Sequence, residues 1–209
     1  MKRSLILFVV ALAATFTEAY STPLYAPMYG SMIQDPSSIA GIYEEGMRLY
    51  EQEMYTAAVE RFRQAASWGY AKAEYQLGMC YFSGEGVKNI DNTEAALWFS
   101  RAANQNLAEA QLKLGYCYMY GMGREEDIES AIYWYKKAMD QGDGEAMYYL
   151  AERYANGNGV PQNYSEAARL YRMSAESGYN RAQFNLAECY EQGLGVAPNM
   201  QEAIVWYKM

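Results

Sequence analysis

Three cysteines are the side chains of this chain best suited to covalent chemistry. Cys80, Cys117 and Cys189 each stand three residues after a leucine in the same local pattern. A cysteine attacks as its thiolate and usually needs a neighbouring base, and the 209 residues contain no histidine. Without histidine, the usual ligand set of a zinc site is missing as well. We therefore interpret the cysteines as small packing residues with free thiols, and we expect neither a metal nor another cofactor.

Two further patterns could suggest acid–base catalysis or phosphate binding. Glu125 and Glu126 are adjacent carboxylates in a segment of loop composition, where solvation is their ordinary state. Paired glycines recur as G-x-G, first at Gly84 and Gly86, but no Lys-Ser/Thr follows them and no strand precedes them, as a phosphate loop requires. We predict instead that the glycines end helices, because glycine readily adopts the left-handed conformation found there.

The cysteines and glycines belong to a sequence repeat. Four stretches can be aligned, namely AEYQLGMCYFSGEGV from Ala73, AQLKLGYCYMYGMGR from Ala110, AMYYLAERYANGNGV from Ala146 and AQFNLAECYEQGLGV from Ala182. A second motif follows each stretch and begins at positions 36 residues apart, Ala95, Ala131, Ala167 and Ala203. A fixed period of ~20–50 residues predicts a solenoid, in which each unit buries its apolar face against its neighbours.

The spacing within one unit predicts two antiparallel helices. Ala73, Leu77 and Tyr81 stand four residues apart and therefore share one face of a helix over about residues 71–83, here called helix A. Helix B follows over about residues 92–104. The predicted fold class is all-α, with a leading helix pair over residues 39–69. Four longer units follow at about residues 70–106, 107–142, 143–178 and 179–209, the last of them incomplete.

The first 38 residues differ in composition from the array. Lys2 and Arg3 precede an apolar run, which small residues follow, so residues 1–19 are predicted to be a secretory signal peptide. The apolar run is shorter than the ~20 residues of a membrane span, and we expect no stable membrane insertion. Residues 20–38 are rich in Pro, Ser, Tyr and Met and are predicted to form a flexible leader.

The charge of the chain disfavours nucleic acid as a partner. The formal net charge is −8, and no run of cations is longer than two residues, as at Lys2 and Arg3. Binding to phosphate backbones requires clustered Lys and Arg, so we expect no nucleic-acid binding. The acidic balance favours solubility and disfavours adhesion to anionic membranes.

The run A-x-x-x-L-G-x-x-Y-x-x-G-x-G-V, followed by A-x-x-W-x-x-K-A, resembles the Sel-1-like repeat, a longer-looped relative of the tetratricopeptide repeat. The resemblance covers residues 71–209, and residues 39–69 are similar to an ordinary tetratricopeptide unit. It implies a right-handed α-solenoid whose A helices line a concave face that captures a peptide or a folded protein. Exported bacterial members are adaptors, which favours the periplasm or secretion over the endoplasmic reticulum. The final WYKM is no retention signal for that compartment.

The tetratricopeptide pattern places three residues of each A helix on the concave face. This groove set, our candidate partner-binding residues, comprises Tyr43, Met47, Tyr50, Tyr75, Met79, Phe82, Leu112, Tyr116, Met119, Tyr148, Glu152, Ala155, Phe184, Glu188 and Glu191. Its N-terminal half is rich in aromatic residues and Met, and its C-terminal half is acidic. An exposed apolar patch usually marks an interaction site. The alternative for each of these side chains is packing against the neighbouring A helix.

The sequence predicts a non-catalytic adaptor that binds a protein or peptide through an apolar segment followed by a basic one. Two alternatives remain. Cysteine-rich relatives bind or hydrolyse β-lactams, but this chain has no Ser-x-x-Lys and its cysteines do not pair within a repeat. The other alternative is a structural spacer that associates with itself through the C-terminal helix.

Overall fold

The structure, a computed structural model, describes residues 36–209, and the compact unit within them runs from Ile39 to Met209. The described residues form ten helices and no strand, which confirms the predicted all-α class. The helices are α1 (Pro36–Glu51), α2 (Tyr55–Ser67), α3 (Ala71–Ser83), α4 (Asn92–Asn104), α5 (Ala108–Met119), α6 (Ile128–Met139), α7 (Gly144–Asn156), α8 (Tyr164–Glu176), α9 (Asn180–Gln192) and α10 (Met200–Tyr207).

The predicted signal peptide, residues 1–19, and most of the predicted leader lie outside the described residues. Helix α1 begins at Pro36, three residues before the position at which helical periodicity becomes visible in the sequence. Proline is compatible with the first turn of a helix, because an N–H at that position would have no partner within the helix. Among the described helices, none is long and apolar enough to cross a membrane.

Each helix packs mainly against the helices that precede and follow it in the chain, as the predicted array requires. Within a pair, close packing depends on a small residue in the A helix. A Cβ atom added at Gly78 would lie 2.7 Å from Cδ1 of Phe99, and one at Gly115 would lie 2.7 Å from Cδ1 of Tyr135. The ring of helix B therefore lies directly on the backbone of helix A. Alanine fills the same position in the last two pairs, as Ala151 and Ala187, and both residues are fully buried.

The loop within each of the last four pairs is closed in the same way. The residue that caps helix B donates its backbone N–H to the carbonyl of the tyrosine near the end of helix A, over 2.8–2.9 Å. These bonds join Asp91 to Tyr81, Asp127 to Tyr118, Asn163 to Tyr154 and Asn199 to Tyr190. The capping side chain also accepts hydrogen bonds from the first turn of helix B, where the backbone N–H groups lack partners within the helix.

The two glycines of each G-x-G loop have different roles. The first glycine adopts the left-handed conformation at the end of helix A. Gly84 caps α3 in this way with φ 83°, whereas Gly121 directly follows the cap of α5, Tyr120. The second glycine lies against the B helix of the preceding pair. A Cβ atom at Gly123 would overlap the carbonyl group of Asn92, the first residue of α4. The sequence predicts the first role, whereas the second becomes visible only when the pairs are stacked.

Candidate functional site

The groove set lies on the five A helices α1, α3, α5, α7 and α9, and the structure divides it by exposure. Four of its side chains are buried in the packing between helices, namely Tyr43, Leu112, Met119 and Tyr148. These four buried side chains have little surface to offer a partner. The others are exposed or half-buried, namely Met47, Tyr50, Tyr75, Met79, Phe82, Tyr116, Glu152, Ala155, Phe184, Glu188 and Glu191.

Aromatic rings form a continuous chain across successive A helices. The ring centroids of Phe82 and Tyr116 are 6.4 Å apart, and those of Tyr116 and Tyr149 are 6.3 Å apart. Tyr149 lies 5.6 Å from Tyr148, which in turn lies 5.1 Å from Tyr179 at the start of α9. These edge-on and tilted contacts are typical of stabilising aromatic pairs. We call these five residues the aromatic chain.

Two members of the aromatic chain, Tyr149 and Tyr179, lie outside the groove set predicted from the sequence. Tyr149 directly follows Tyr148 in α7, and Tyr179 precedes the first residue of α9. Neither residue belongs to the concave positions of the tetratricopeptide pattern. The signal available in the sequence was the Tyr-Tyr pair, since two adjacent helical residues point about 100° apart and cannot both face the core.

Carboxylates border this face at the N-terminal ends of the A helices. Burial raises the pKa of Tyr75 to about 12, and the negative charges of Glu109, Glu145 and Asp143 contribute to the increase. Glu145 also acts on Tyr179, whose pKa is raised first by burial and then by this carboxylate. The three acidic residues therefore lie near the hydroxyls of the groove tyrosines. They do not belong to the predicted groove set.

A second group of carboxylates lies toward the C-terminal ends of α7 and α9. Glu152 accepts a hydrogen bond from the hydroxyl of Tyr148 over 3.0 Å, and Glu191 accepts one from Tyr207 over 2.8 Å. Burial raises the pKa of Tyr148, and the charge of Glu152 raises it further. The A-helix face thus combines aromatic rings with carboxylates at both ends of its helices, an arrangement suited to a cationic ligand group.

The three cysteines are buried free thiols. Burial raises the pKa of Cys80 to about 12, with the charge of Glu85 as a further cause. It raises the pKa of Cys117 and of Cys189 to about 11. At neutral pH these groups are therefore protonated and poor nucleophiles. Within residues 36–209, no three His, Cys, Asp or Glu side chains are placed to hold a metal ion.

Solved structures with a related fold support the solenoid architecture. A protective antigen present in uropathogenic Escherichia coli strains, which displays an SLR fold, matches with a TM-score of 0.77 and 33% identity. The match covers 83% of this chain but only 38% of the antigen, so the chain spans less than half of that protein's length. A Sel1 repeat protein from Oxalobacter formigenes matches with a TM-score of 0.74 and 34% identity, over 85% of this chain and 74% of that protein.

No curated protein sequence matches the chain. The sequence profile of the Sel1 repeat matches residues 71–107, 108–143, 144–179 and 180–209, which confirms the resemblance drawn from the repeated motif. Proteins with Sel1 repeats generally act as scaffolds for protein interaction. With four consecutive matched units that span residues 71–209, the chain belongs to the Sel1 repeat family.

Proposed function

We propose that this chain is an exported, non-catalytic adaptor whose A-helix face is a concave groove for a protein or peptide partner. The observation that carries the proposal is the aromatic chain. Its rings connect three successive A helices and include half-buried side chains, Phe82, Tyr116 and Tyr149, that retain accessible surface. Tyrosine provides a large amphipathic contact area at low cost in conformational entropy, and interfaces are enriched in it.

The charges on the same face favour a partner with cations at defined places. Half-buried Met47, Tyr50, Met79 and Phe82 provide an apolar stretch on α1 and α3. The carboxylates of Glu152, Glu188 and Glu191 follow on α7 and α9. We infer a partner segment with apolar residues against α1 and α3 and with Lys or Arg against α7 and α9, where carboxylates and aromatic rings both attract cations.

Export is supported by the cationic start and the apolar run of residues 1–19, which have the composition of a signal peptide. The proposed location is the periplasm or the exterior of a bacterial cell. N-terminal sequencing of the chain recovered from the exported fraction of its native host tests this. Cleavage after Ala19 predicts a mature chain that begins at Tyr20, and an uncleaved chain recovered only with the cytoplasm would contradict it.

The groove is tested by cross-linked pull-down of partners from the native exported fraction. Variants of this chain are then compared for their capture of the partner that was found. Replacing Tyr75, Phe82 and Tyr116 together by alanine is expected to reduce capture at least tenfold, since large aromatic side chains dominate such interfaces. The matched control replaces exposed Tyr133 and Leu97, which lie on the B helices α6 and α4, and is expected to bind normally. Unchanged capture by the folded groove variant would refute the groove.

Charge provides a second test of the same groove. Replacing Glu188 and Glu191 by glutamine keeps the shape of the side chains and removes two negative charges. We expect weaker capture and a smaller loss of binding when salt is raised, because attraction between exposed charges is screened by salt. A salt dependence identical to that of the parent protein would exclude a basic partner segment at α9.

Self-association through the C-terminal helix is the second candidate function, and one observation favours it. Ile204 on α10 and Phe184 on α9 are 44% and 53% exposed. The corresponding residues of the preceding pair, Ala168 and Tyr148, are buried by the helices stacked on them. A second copy of the chain could cover this apolar surface in the same way. Sedimentation velocity tests this self-association. A protein that sediments as a monomer over an about 100-fold range of concentration would argue against it.

A β-lactamase activity is the remaining alternative. The raised pKa values of the three thiols argue against a cysteine nucleophile in the described part of the chain. A nitrocefin assay on the purified mature protein tests it directly, and turnover above background would overturn the non-catalytic assignment.

A further inference from the structure

Two Asn-Gly steps follow one another in the loop of the third Sel1 unit. Asn156 precedes Gly157, and Asn158 precedes Gly159, within the run YANGNGV. No other asparagine of the sequence is followed by glycine. At the position of Asn158, the three other units have side chains without an amide, namely Glu85, Met122 and Leu194. The loop of the third unit therefore carries a reactive group that the other loops lack.

An asparagine that precedes glycine can react with its own backbone. The glycine nitrogen attacks Cγ of the asparagine, a C–N bond forms, and the side-chain nitrogen leaves as ammonia. The proton of the glycine N–H passes to a base, and the leaving nitrogen takes a proton from water. Water then opens the five-membered imide at either carbonyl group, so that asparagine and water yield aspartate or isoaspartate and ammonia. Glycine favours the attack, because it has no side chain to obstruct it and adopts many conformations.

The structure separates the two Asn-Gly steps by the state of the attacking nitrogen. Asn156 is the last residue of α7, and the N–H of Gly157 donates a hydrogen bond to the carbonyl of Arg153. Asn158 lies outside the helices, and the N–H of Gly159 donates no hydrogen bond within residues 36–209. Both asparagines are exposed, so access of water does not distinguish them.

The hydrogen bond of Gly157 slows the reaction at Asn156. It must open before the nitrogen can lose its proton and attack, which costs about two- to tenfold in rate. Asn156 must also leave its helical conformation, because ring closure requires the reacting atoms to approach to about 3–3.5 Å. Neither requirement applies to Asn158. We therefore expect Asn158 to react about tenfold faster than Asn156 in the folded protein.

Gly159, the residue after Asn158, is also a point of contact between repeats. A Cβ atom added to it would lie 2.2 Å from Cγ2 of Ile128 and 2.8 Å from Cδ1 of Ile132, both on α6 of the preceding pair. Ile132 is buried and belongs to the hydrophobic core. Isoaspartate adds one carbon to the main chain directly before Gly159, so the loop must shift against this core. Closely packed interiors resist such a shift.

We propose that Asn158 is a site of spontaneous deamidation, and that its conversion to isoaspartate weakens the contact between the second and third Sel1 units. Water and a base are the only co-reactants, and the reaction requires no enzyme. Aspartate, the other product, keeps the length of the main chain and adds one negative charge to an exposed loop. Neither effect depends on the proposed groove of the A helices.

The site is tested by incubation of the folded chain at pH 8, followed by mass spectrometry of the tryptic peptide over residues 154–169. This peptide contains both Asn-Gly steps. Conversion of an amide to a carboxyl group raises the mass of each fragment that contains it, which assigns the change to Asn156 or Asn158. We expect conversion at Asn158 to be about tenfold faster than at Asn156. It should also be faster at pH 8 than at pH 6, because the attacking nitrogen must lose a proton.

The unfolded chain is the matched control. In guanidinium chloride both α7 and the hydrogen bond of Gly157 are lost, so the two Asn-Gly steps should react at similar rates. Asn158→Gln keeps an amide but would need a larger ring, so conversion at this position should cease while Asn156 keeps its rate. The proposal is overturned if both asparagines react equally fast in the folded protein, or if Asn158 reacts only after unfolding.

The effect on stacking is measured on the deamidated protein. Ion exchange isolates the deamidated chains, and peptide chromatography gives their content of isoaspartate. Asn158→Asp is the control, since it carries the same added charge on an unaltered main chain, and it should unfold close to the parent. Chains rich in isoaspartate should unfold at least about 2 °C below this variant. Equal Tm values for the two forms would refute the effect on the contact between units.

Discussion

Gly123→Ala is expected to destabilise the protein more than Gly121→Ala, although the two glycines belong to one loop. Both have positive φ, 73° and 62°. A Cβ atom at Gly123 would overlap the carbonyl of Asn92 and lie 2.6 Å from the backbone nitrogen of Thr93. A Cβ atom at Gly121 would meet nothing closer than the carbonyl oxygen of Arg124, at 3.5 Å. The pair therefore separates backbone strain from the stacking of repeats.

The expected magnitudes follow from these contacts. Left-handed strain costs alanine about 1–2 kcal/mol at either position. The smaller entropy of the unfolded alanine chain offsets about 0.4–1 kcal/mol of this cost. Gly121→Ala should therefore lower the free energy of unfolding by about 1 kcal/mol. Gly123→Ala must also displace the first turn of α4, and overpacking of this kind adds about 1–3 kcal/mol or more. We expect a total loss of about 3 kcal/mol.

The assay is thermal and urea unfolding followed by circular dichroism at 222 nm. For a chain of this size, 1 kcal/mol corresponds to about 2–4 °C in Tm, so the two variants should differ by about 4–8 °C. Gly195→Ala repeats the experiment in another unit, where a Cβ atom would overlap the carbonyl of Tyr164. Equal losses for Gly121→Ala and Gly123→Ala would show that the close contact between repeats does not contribute to stability.

Three further predictions concern buried polar groups. Burial raises the pKa of Glu74, opposed by Arg101 and by the hydrogen bond from Gln105, so the folded state favours the protonated carboxyl. Protonated Glu74 therefore contributes its full stabilisation at pH values below the pKa of the unfolded chain, near 4.5. This contribution is lost as the pH rises through the higher pKa of Glu74 in the folded protein. Glu74→Gln should therefore unfold at a higher urea concentration than the parent at pH 7, and at the same one near pH 4. The thiol of Cys80, with a pKa of about 12, should react with Ellman's reagent at pH 8 about a thousandfold more slowly than in the unfolded chain. Ser174→Ala should cost about 1 kcal/mol in urea unfolding, because the fully buried hydroxyl donates to the carbonyl of Gly144 over 2.6 Å.

Each of these predictions has a control. Glu60→Gln removes an exposed carboxylate and should change stability at pH 7 by less than about 0.5 kcal/mol. The reagent should titrate all three thiols promptly in guanidinium chloride, whereas rapid labelling of the native protein would contradict their burial. Ser67→Ala removes a hydroxyl that bonds in an exposed turn and should change stability by less than about 0.5 kcal/mol. If Ser67→Ala lowered stability as much as Ser174→Ala does, burial of the hydrogen bond would not explain the loss in Ser174→Ala.

The helix pairs and their order could be predicted from the sequence, because they depend on local spacing. Leu77 and Tyr81 lie on one face of helix A, as do their counterparts in the other repeats, and Gly84 ends the first of these helices. Helix end signals and the helical period of 3.6 residues depend on residues that are close together in the chain. The sequence alone is therefore enough to identify them. The repeated spacing of 36 residues then implies that the pairs stack.

The candidate groove was predictable as a set of positions and not as a set of exposed side chains. Tyr148 and Phe184 occupy the same place in successive repeats, yet Tyr148 is buried beneath Tyr179 of the next pair and Phe184 is 53% exposed. Burial at this place depends on the side chain that the following repeat brings against it. That residue lies more than 30 positions away, and its volume and rotamer do not follow from the repeat pattern.

Arg153 and Gly123 also differ in what their sequence positions show and what the folded structure adds. The sequence alone shows that Arg153 replaces cysteine and that Gly123 recurs in each loop. Only the stacked helices place the guanidinium of Arg153 beside Met119, and Gly123 against Asn92. Local spacing determines which helices form and in what order, whereas contacts between repeats depend on the exact approach of two backbones. Those contacts decide which side chains of the proposed groove are buried and which stay exposed.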